Sequence, residues 1–194
     1  MKQILKTIYN NEHSKVINLL KKITFEENKK FQKLCFDSLK CLKKKGKIIF
    51  FGNGGSAADA QHLATELTVR YKNNRKALSA ISLSADNSAI TAIGNDYGFK
   101  FIFARQIEAI ANKGDICIAI TTSGNSQNII EACKVAKKKS IKTYAFSGNG
   151  GGKLKKILKN IVLIPSKNTS QIQVAEIFLG QILCEYLEIN VNKI

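Results

Sequence analysis

Residues 47–67 read KIIFFGNGGSAADAQHLATEL. A short apolar run of branched and aromatic residues is followed at once by a turn rich in glycine and then by a helix-forming segment. An apolar run of this length, bounded by glycine on both sides, is typical of a buried parallel strand. The stretch therefore predicts a strand, a tight turn and a helix in direct succession, which is the repeating unit of an α/β fold.

The same alternation recurs along the rest of the chain. Strand and helix in strict turn predict a five-stranded parallel sheet with helices on both faces. Ahead of it, apolar residues at three-and-four spacing between residues 4 and 42 predict a pair of amphipathic helices. We expect one domain over residues 1–194, with the helical pair in 1–45 and the α/β core in 46–190. The predicted strands are 47–51, 80–83, 116–120, 143–146 and 161–164, and the predicted core helices are 57–70, 87–93, 99–111, 127–138 and 170–188.

The composition narrows the class of protein. The chain has 194 residues and a formal net charge of +17. Its lysines are spread over many helix faces with little arginine or aromatic interleaving, which is typical of solvated cationic faces and does not favour direct nucleic-acid binding. An anionic small substrate would benefit from such a field in either case. The five cysteines form no CxxC pair, which argues against a disulfide framework or a thiolate zinc site. Because no apolar run reaches the roughly 18 residues of a membrane span and the start is not a signal peptide, we expect a cytoplasmic protein without a membrane partner.

The glycine loop, Gly52 to Ser56, follows the first predicted strand. Ligands of open α/β sheets lie outside the carboxyl ends of the strands, and a glycine turn before a helix offers free N–H groups to an anionic or polyhydroxy ligand. With Ala57 the loop also fits G-x-G-x-x-A. About 20 residues on, where a dinucleotide site needs an acidic residue, the chain has lysines and asparagines around 72–76. No nucleotide cofactor is therefore predicted.

The hydroxyl loop, Thr121 to Ser126, follows the third predicted strand and reads TTSGNS. An ordinary capped turn needs only one Ser or Thr, so the additional hydroxyls predict a phosphate cradle built from hydroxyl and backbone donors. A second glycine turn, at residues 147–153, resembles a P-loop but departs from it at Ser147 and Leu154. ATP is therefore not predicted.

Two helices carry polar residues on one face. His62 and Glu66 are four residues apart, so they can hold a proton or a divalent metal between them, or simply pair at the surface. In the last helix, Gln173 and Gln181 lie about 12 Å apart along the axis. Amides can bracket the hydroxyls of a sugar, and an interface between helices or subunits is the alternative.

The motifs GNGGSAADAQH, ELTVRY, AIGNDYGF, TTSGNS and SQIQ occur here in one order and spacing. Together they resemble the bacterial phosphoheptose isomerases of the sugar isomerase (SIS) domain superfamily, from about Lys47 to Glu188. The resemblance implies a homotetramer of flavodoxin-like five-stranded subunits with active sites at subunit boundaries. It also implies isomerisation of sedoheptulose 7-phosphate to D-glycero-D-manno-heptose 7-phosphate through an enediol, for lipopolysaccharide heptose biosynthesis.

The same resemblance implies roles for individual residues. Glu66 would be the catalytic base, and His62, Glu66 and Gln173 would be ligands of the zinc seen in some members. The residues implied in holding the sugar phosphate are Asn53, Gly54, Gly55, Glu66, Asn95, Asp96, Thr121, Thr122, Ser123, Ser126 and Gln173.

The chain departs from the family at its second catalytic position, which is Gln181 where the family has histidine. Glutamine has no titratable proton near neutral pH and is a poor zinc ligand. Glu176, where many members carry another histidine, is a substitute of limited fit because it lies five residues away on a different part of the helix. A related branch, the replication initiator-associating protein, is a tetrameric binding module that has lost the histidine. A non-catalytic module that binds the initiator or a sugar phosphate is therefore the alternative, whereas the retained His62 and Glu66 favour the isomerase.

Overall fold

The computed structural model describes residues 1–190, and its centre is a sheet of five parallel strands in the order β2-β1-β3-β4-β5. β1 pairs with β3 from Ile48 opposite Ile116 to Gly52 opposite Ile120. In this order the connections leave β1 and β3 toward opposite faces, so the crevice between their carboxyl ends is the expected ligand site. The predicted parallel sheet is confirmed. The strands are β1 Ile48–Gly52, β2 Ala80–Ser82, β3 Ile116–Thr121, β4 Lys142–Ser147 and β5 Ile161–Leu163.

Seven α-helices surround this sheet within residues 1–190. The predicted N-terminal helical pair is present, and the predicted helix at 99–111 is divided, because Gly98 with φ 93° is followed by a 3₁₀ turn before the α-helix begins. Among these helices none is both long and apolar enough to cross a membrane. The helices are α1 Lys2–Lys21, α2 Lys29–Lys43, α3 Gly55–Thr68, α4 Asn87–Asp96, α5 Ile102–Ile110, α6 Gln127–Lys138 and α7 Thr169–Asn190, with 3₁₀ segments at Phe99–Phe101 and Asn149–Lys156.

Alternate residues of each central strand face two separate apolar cores. In β1, Ile48 and Phe50 pack under α2, α3 and α7, whereas Ile49 and Phe51 pack under α5 and α6. All residues of β1 and β3 are buried. Because both faces are covered, these strands read as continuous apolar runs rather than as alternating ones, which is why the sequence reveals them clearly.

Helices α3 and α7 run side by side and parallel. At their start Gln173 Nε2 lies only 2.1 Å from where a Cβ on Gly55 would be. Further along, a Cβ on Gly180 would meet Leu63 at 2.5 Å, and Cys184 Sγ lies 3.9 Å from the Leu63 carbonyl oxygen. The two glycines therefore allow the close packing that holds α7 against the helix carrying the predicted base.

Candidate active site

The glycine loop opens α3 at the carboxyl end of β1. Gly54 has φ 56° and is the N-cap of α3, a conformation that favours glycine. Ser84, in the turn after the neighbouring strand β2, anchors the loop, because its Oγ donates to the Gly52 carbonyl at 3.0 Å and accepts from the Gly52 N–H at 3.3 Å. Gly54 and Gly55 are exposed. The loop is thus anchored at its base and accessible at its tip.

Asn53 connects the glycine loop to the start of α6. The side-chain amides of Asn53 and Asn128 bond reciprocally, at 2.9 Å and 2.8 Å. Asn128 is only 2% exposed. No motif of the sequence indicates Asn128, and its only signal is that a polar residue stands on the buried face of an amphipathic helix. The pair links the two sides of the crevice into one unit.

The hydroxyl loop follows β3 and uses only some of its hydroxyls internally. Thr121 Oγ1 accepts the Gly124 N–H at 3.3 Å, and Ser123 Oγ accepts a backbone N–H of the loop at 3.1 Å. Ser126 is the N-cap of α6, yet its side chain makes no capping bond. Within residues 1–190 the side-chain hydroxyls of Thr122 and Ser126 make no hydrogen bond. They therefore remain available to an anion at the N-terminus of α6.

The second glycine turn supports the hydroxyl loop. A Cβ on Gly124 would lie 2.2 Å from the Gly151 carbonyl oxygen, and one on Gly152 would lie 2.4 Å from that of Ser123. The second glycine turn therefore packs closely against the hydroxyl loop.

His62 and Glu66 form the only pair of a histidine and a carboxylate within 4 Å that residues 1–190 contain. His62 Nε2 lies 3.1 Å from Glu66 Oε1, and the two side chains are 46% and 22% exposed. The parallel packing of α3 and α7 places half-buried Gln181 level with this pair, while Gln173 lies at the glycine loop. A carboxylate and an imidazole are therefore together on the helix that leaves the loop.

Zinc does not fit the donors at this site well. A protein zinc site commonly takes at least three ligands from His, Cys, Asp and Glu. No group of three or more such residues is placed to hold a metal anywhere in residues 1–190. The residues of α7 that the resemblance would bring to this metal are Gln173, which lies at the glycine loop, and Gln181, and amides are poor zinc ligands.

Asn95 and Asp96 stand apart from the other predicted site residues. Both are exposed at the end of α4, and Asn95 Nδ2 donates to Asp96 Oδ1 at 2.8 Å. Neither side chain bonds to the glycine loop or the hydroxyl loop in the part of the chain that the structure describes. Their predicted contact with the sugar stays a prediction.

Glu176 lies between the two loops and is buried. It is 1% exposed, and its Oε2 lies 3.5 Å from Ser56 Oγ, at the end of the glycine loop. Burial and the nearby charge of Asp59 raise the pKa of Glu176 to about 8. The sequence indicated this residue only as a substitute for the missing histidine and gave no sign of its burial.

The comparisons with known proteins cover most of the fold. The sequence profile of the SIS domain family matches residues 13–148. The phosphoheptose isomerase 1 of Campylobacter jejuni is 46% identical over 91% of this chain and 93% of its own length. The phosphoheptose isomerase of Helicobacter pylori strain P12 is 51% identical over 77% of this chain and 78% of its own. The solved structure of the phosphoheptose isomerase from Neisseria gonorrhoeae is 37% identical and superposes with a TM-score of 0.86, covering 95% of this chain and 98% of that one.

Proposed function

The chain belongs to the SIS-domain family and, within it, to the phosphoheptose isomerases, and we propose from this premise how its site converts sedoheptulose 7-phosphate into D-glycero-D-manno-heptose 7-phosphate. It is a sugar-phosphate isomerase. The observation that carries the chemistry is the contact of Glu66 with His62 at 3.1 Å. These relatives lend no support to the alternative of an initiator-binding module.

Glu66 is the proposed base. Moving a carbonyl from C2 to C1 requires removal of a proton from C1 and its return to C2, with an enediol between the two steps. The Glu66 carboxylate can take the proton from C1 and deliver one to C2, and the proton that it holds in between can exchange with solvent. Its partial exposure, at 22% of the side chain, leaves it reachable by a substrate.

His62 is the proposed carrier of the second proton. The C2 oxygen must gain a proton as the enediol forms, and the C1 oxygen must lose one as the aldehyde forms. Gln181 cannot exchange a proton at neutral pH. His62 can donate to the first oxygen and regain a proton from the second, so the two transfers balance. Gln173 and Gln181 then act as amides that orient the sugar hydroxyls.

The phosphate is proposed to lie on the hydroxyl loop. The free hydroxyls of Thr122 and Ser126 and the N-terminus of α6 favour a dianion. The sugar would extend from there over the glycine loop toward Glu66. Thr121 and Ser123 contribute through the backbone that their side chains hold in place.

We propose a homotetramer, in which neighbouring subunits cover the apolar surface of α1. Ile4, Leu5, Ile8 and Tyr9 are all more than half exposed, and Phe178 of α7 is 40% exposed. Apolar groups in this number on one helix mark an interface between proteins. In such an assembly Asn95 and Asp96 would contact a sugar bound in the site of a neighbouring subunit.

The remaining parts of the proposal are the compartment and the pathway. We infer a cytoplasmic enzyme whose product enters lipopolysaccharide heptose synthesis, on the strength of the activity named for its relatives. Zinc has no part in the proposed steps, because no three His, Cys, Asp or Glu residues of the described chain are placed to hold a metal.

A turnover assay tests the function. Purified protein is incubated with sedoheptulose 7-phosphate, with and without added zinc, and the aldose 7-phosphate is followed by NMR. We expect product in both conditions. Absence of product in both would overturn the proposed function.

A further inference from the structure

Glu176 is a carboxyl group without a counter-charge. It is 1% exposed, its Oε1 has no hydrogen-bond partner in the described chain, and Ser56 Oγ is 3.5 Å from its Oε2. No lysine or arginine of residues 1–190 pairs with it. Burying an unpaired carboxylate is costly, so such a group takes up a proton instead.

The ionisable groups around it reinforce this state. From α3, half-buried Asp59 faces Glu176, and burial raises the pKa of Asp59 as well, although the nearby His62 opposes that rise. The Ser56 hydroxyl and the backbone at Thr121 of β3 act in the opposite direction and favour the ionised form, but burial and the charge of Asp59 outweigh them in setting the pKa of Glu176. On α7 itself, the neighbour one turn earlier is the uncharged Gln173. At neutral pH the carboxyl group is therefore neutral.

The two contacts of Glu176 belong to the two loops of the proposed site. Ser56 ends the glycine loop and lies in the first turn of α3, and Thr121 ends β3 and begins the hydroxyl loop. A protonated carboxyl group can donate one hydrogen bond and accept others at the same time. An ionised one cannot donate, and its charge would oppose a phosphate bound on the hydroxyl loop.

We propose that Glu176 is a positioning residue that acts in its protonated form, joining Ser56 to Thr121 so that both loops are set to receive one sugar phosphate. The inference rests on the proposed function, because it assumes that the phosphate lies on the hydroxyl loop. Loss of the Glu176 proton weakens binding of the sugar phosphate without removing any group that touches it. The phosphate contributes little to a pH dependence above pH 7, because its second pKa is about 6 and it is already almost fully ionised there.

The consequence is a specific dependence of affinity on pH. If only the protonated form binds, the apparent dissociation constant rises as the free protein loses the proton. With a pKa of about 8, the constant increases about 30-fold between pH 7 and pH 9.5.

The experiment measures binding of sedoheptulose 7-phosphate by calorimetry from pH 7 to 9.5 in the Glu66→Gln background, where turnover does not interfere. Three proteins are compared: the parent, the parent with Glu176→Gln, and the parent with Glu185→Gln. Glutamine at 176 keeps a donor and an acceptor but cannot ionise. Glu185 is the matched control, because it lies on the same helix and pairs with Lys72 at 2.7 Å.

Between pH 7 and 9.5 we expect the apparent dissociation constant to rise about 30-fold in the parent and in the Glu185→Gln control. In Glu176→Gln it should change by less than about 3-fold over the same range. A flat profile in the parent overturns the inference, and this arm needs no substitution at 176. An equal rise in Glu176→Gln and the parent overturns it as well. Absence of binding at every pH overturns the proposed function, and the inference with it.

Discussion

Glu176 and Glu188 lie on the same helix, both buried, in opposite surroundings. Glu188, at 5% exposure, accepts three backbone N–H groups from residues 71–73, and Arg75 Nε lies 3.3 Å from it. Burial alone would raise its pKa, but these hydrogen bonds bring the pKa of Glu188 below the ordinary value. Burial and Asp59 instead raise the pKa of Glu176. A satisfied carboxylate anchors a loop to the helix, whereas an unsatisfied one at the site is available to respond to a ligand.

Glu66 extends the comparison to a third carboxylate, which is partly exposed and paired with a histidine. Glu66→Gln should reduce kcat/KM by about 1,000-fold, or about 4 kcal/mol of transition-state stabilisation, because the amide cannot take the C1 proton. Its melting temperature should change little. Steady-state kinetics checks this expectation, and activity within 10-fold of wild type would remove Glu66 from the base role.

Glu188→Gln should have the largest effect on stability. The side chain of Arg75 is 2% exposed, so removing its counter-charge leaves a buried cation and lowers the free energy of unfolding by about 3 kcal/mol. Urea denaturation at fixed protein concentration measures this loss. Glu185→Gln, at a partly exposed pair, should leave the transition unchanged. An equal effect of both substitutions would contradict the anchor role of Glu188.

His62→Asn tests the proton carrier. We expect about a 100-fold loss in kcat with a smaller change in KM, since the asparagine cannot exchange a proton. Gln181→His, the residue typical of the family, should change kcat by less than about 3-fold if His62 already performs the transfer. A large gain in Gln181→His with little loss in His62→Asn would reverse the assignment.

The two glutamates of α7 should also respond to pH with opposite sign. The pKa of Glu176 is raised, from 4.5 to about 8, so the stability it contributes is complete below 4.5 and is lost as the pH rises to about 8. The pKa of Glu188 is lowered, so its contribution is present above 4.5 and is lost as the pH falls below that. Between pH 5 and pH 8 the melting temperature of Glu176→Gln should therefore rise relative to that of wild type by roughly 3 °C or more. Above pH 8 the difference between the two proteins should stay constant. A constant difference across that range would contradict the protonated state of Glu176.

Much of the fold could be predicted because its strands are buried on both faces. The third strand was predicted at 116–120 and occupies Ile116–Thr121. Helix starts were less accurate: α3 begins at Gly55 rather than at 57, because part of the glycine loop already has helical geometry. Propensity alone assigns glycine to a turn, whereas Gly55 is the first residue of α3 and lies close against Gln173.

The site could be predicted only where its geometry is local. His62 and Glu66 share a helix, so their spacing alone brings them together. The bond of Asn53 to Asn128 joins residues 75 apart, and the contact of Ser56 with Glu176 joins residues 120 apart. Such contacts depend on how separate elements pack, which no local pattern encodes.

The most direct test of the central claim is proton exchange during turnover. Sedoheptulose 7-phosphate is incubated with the protein in deuterated water and followed by NMR at C1 and C2. The account predicts formation of the aldose 7-phosphate with solvent deuterium appearing at these carbons in wild type, and neither signal in Glu66→Gln. Product and exchange that persist in Glu66→Gln, or their absence in wild type, would contradict an enediol isomerase with Glu66 as its base.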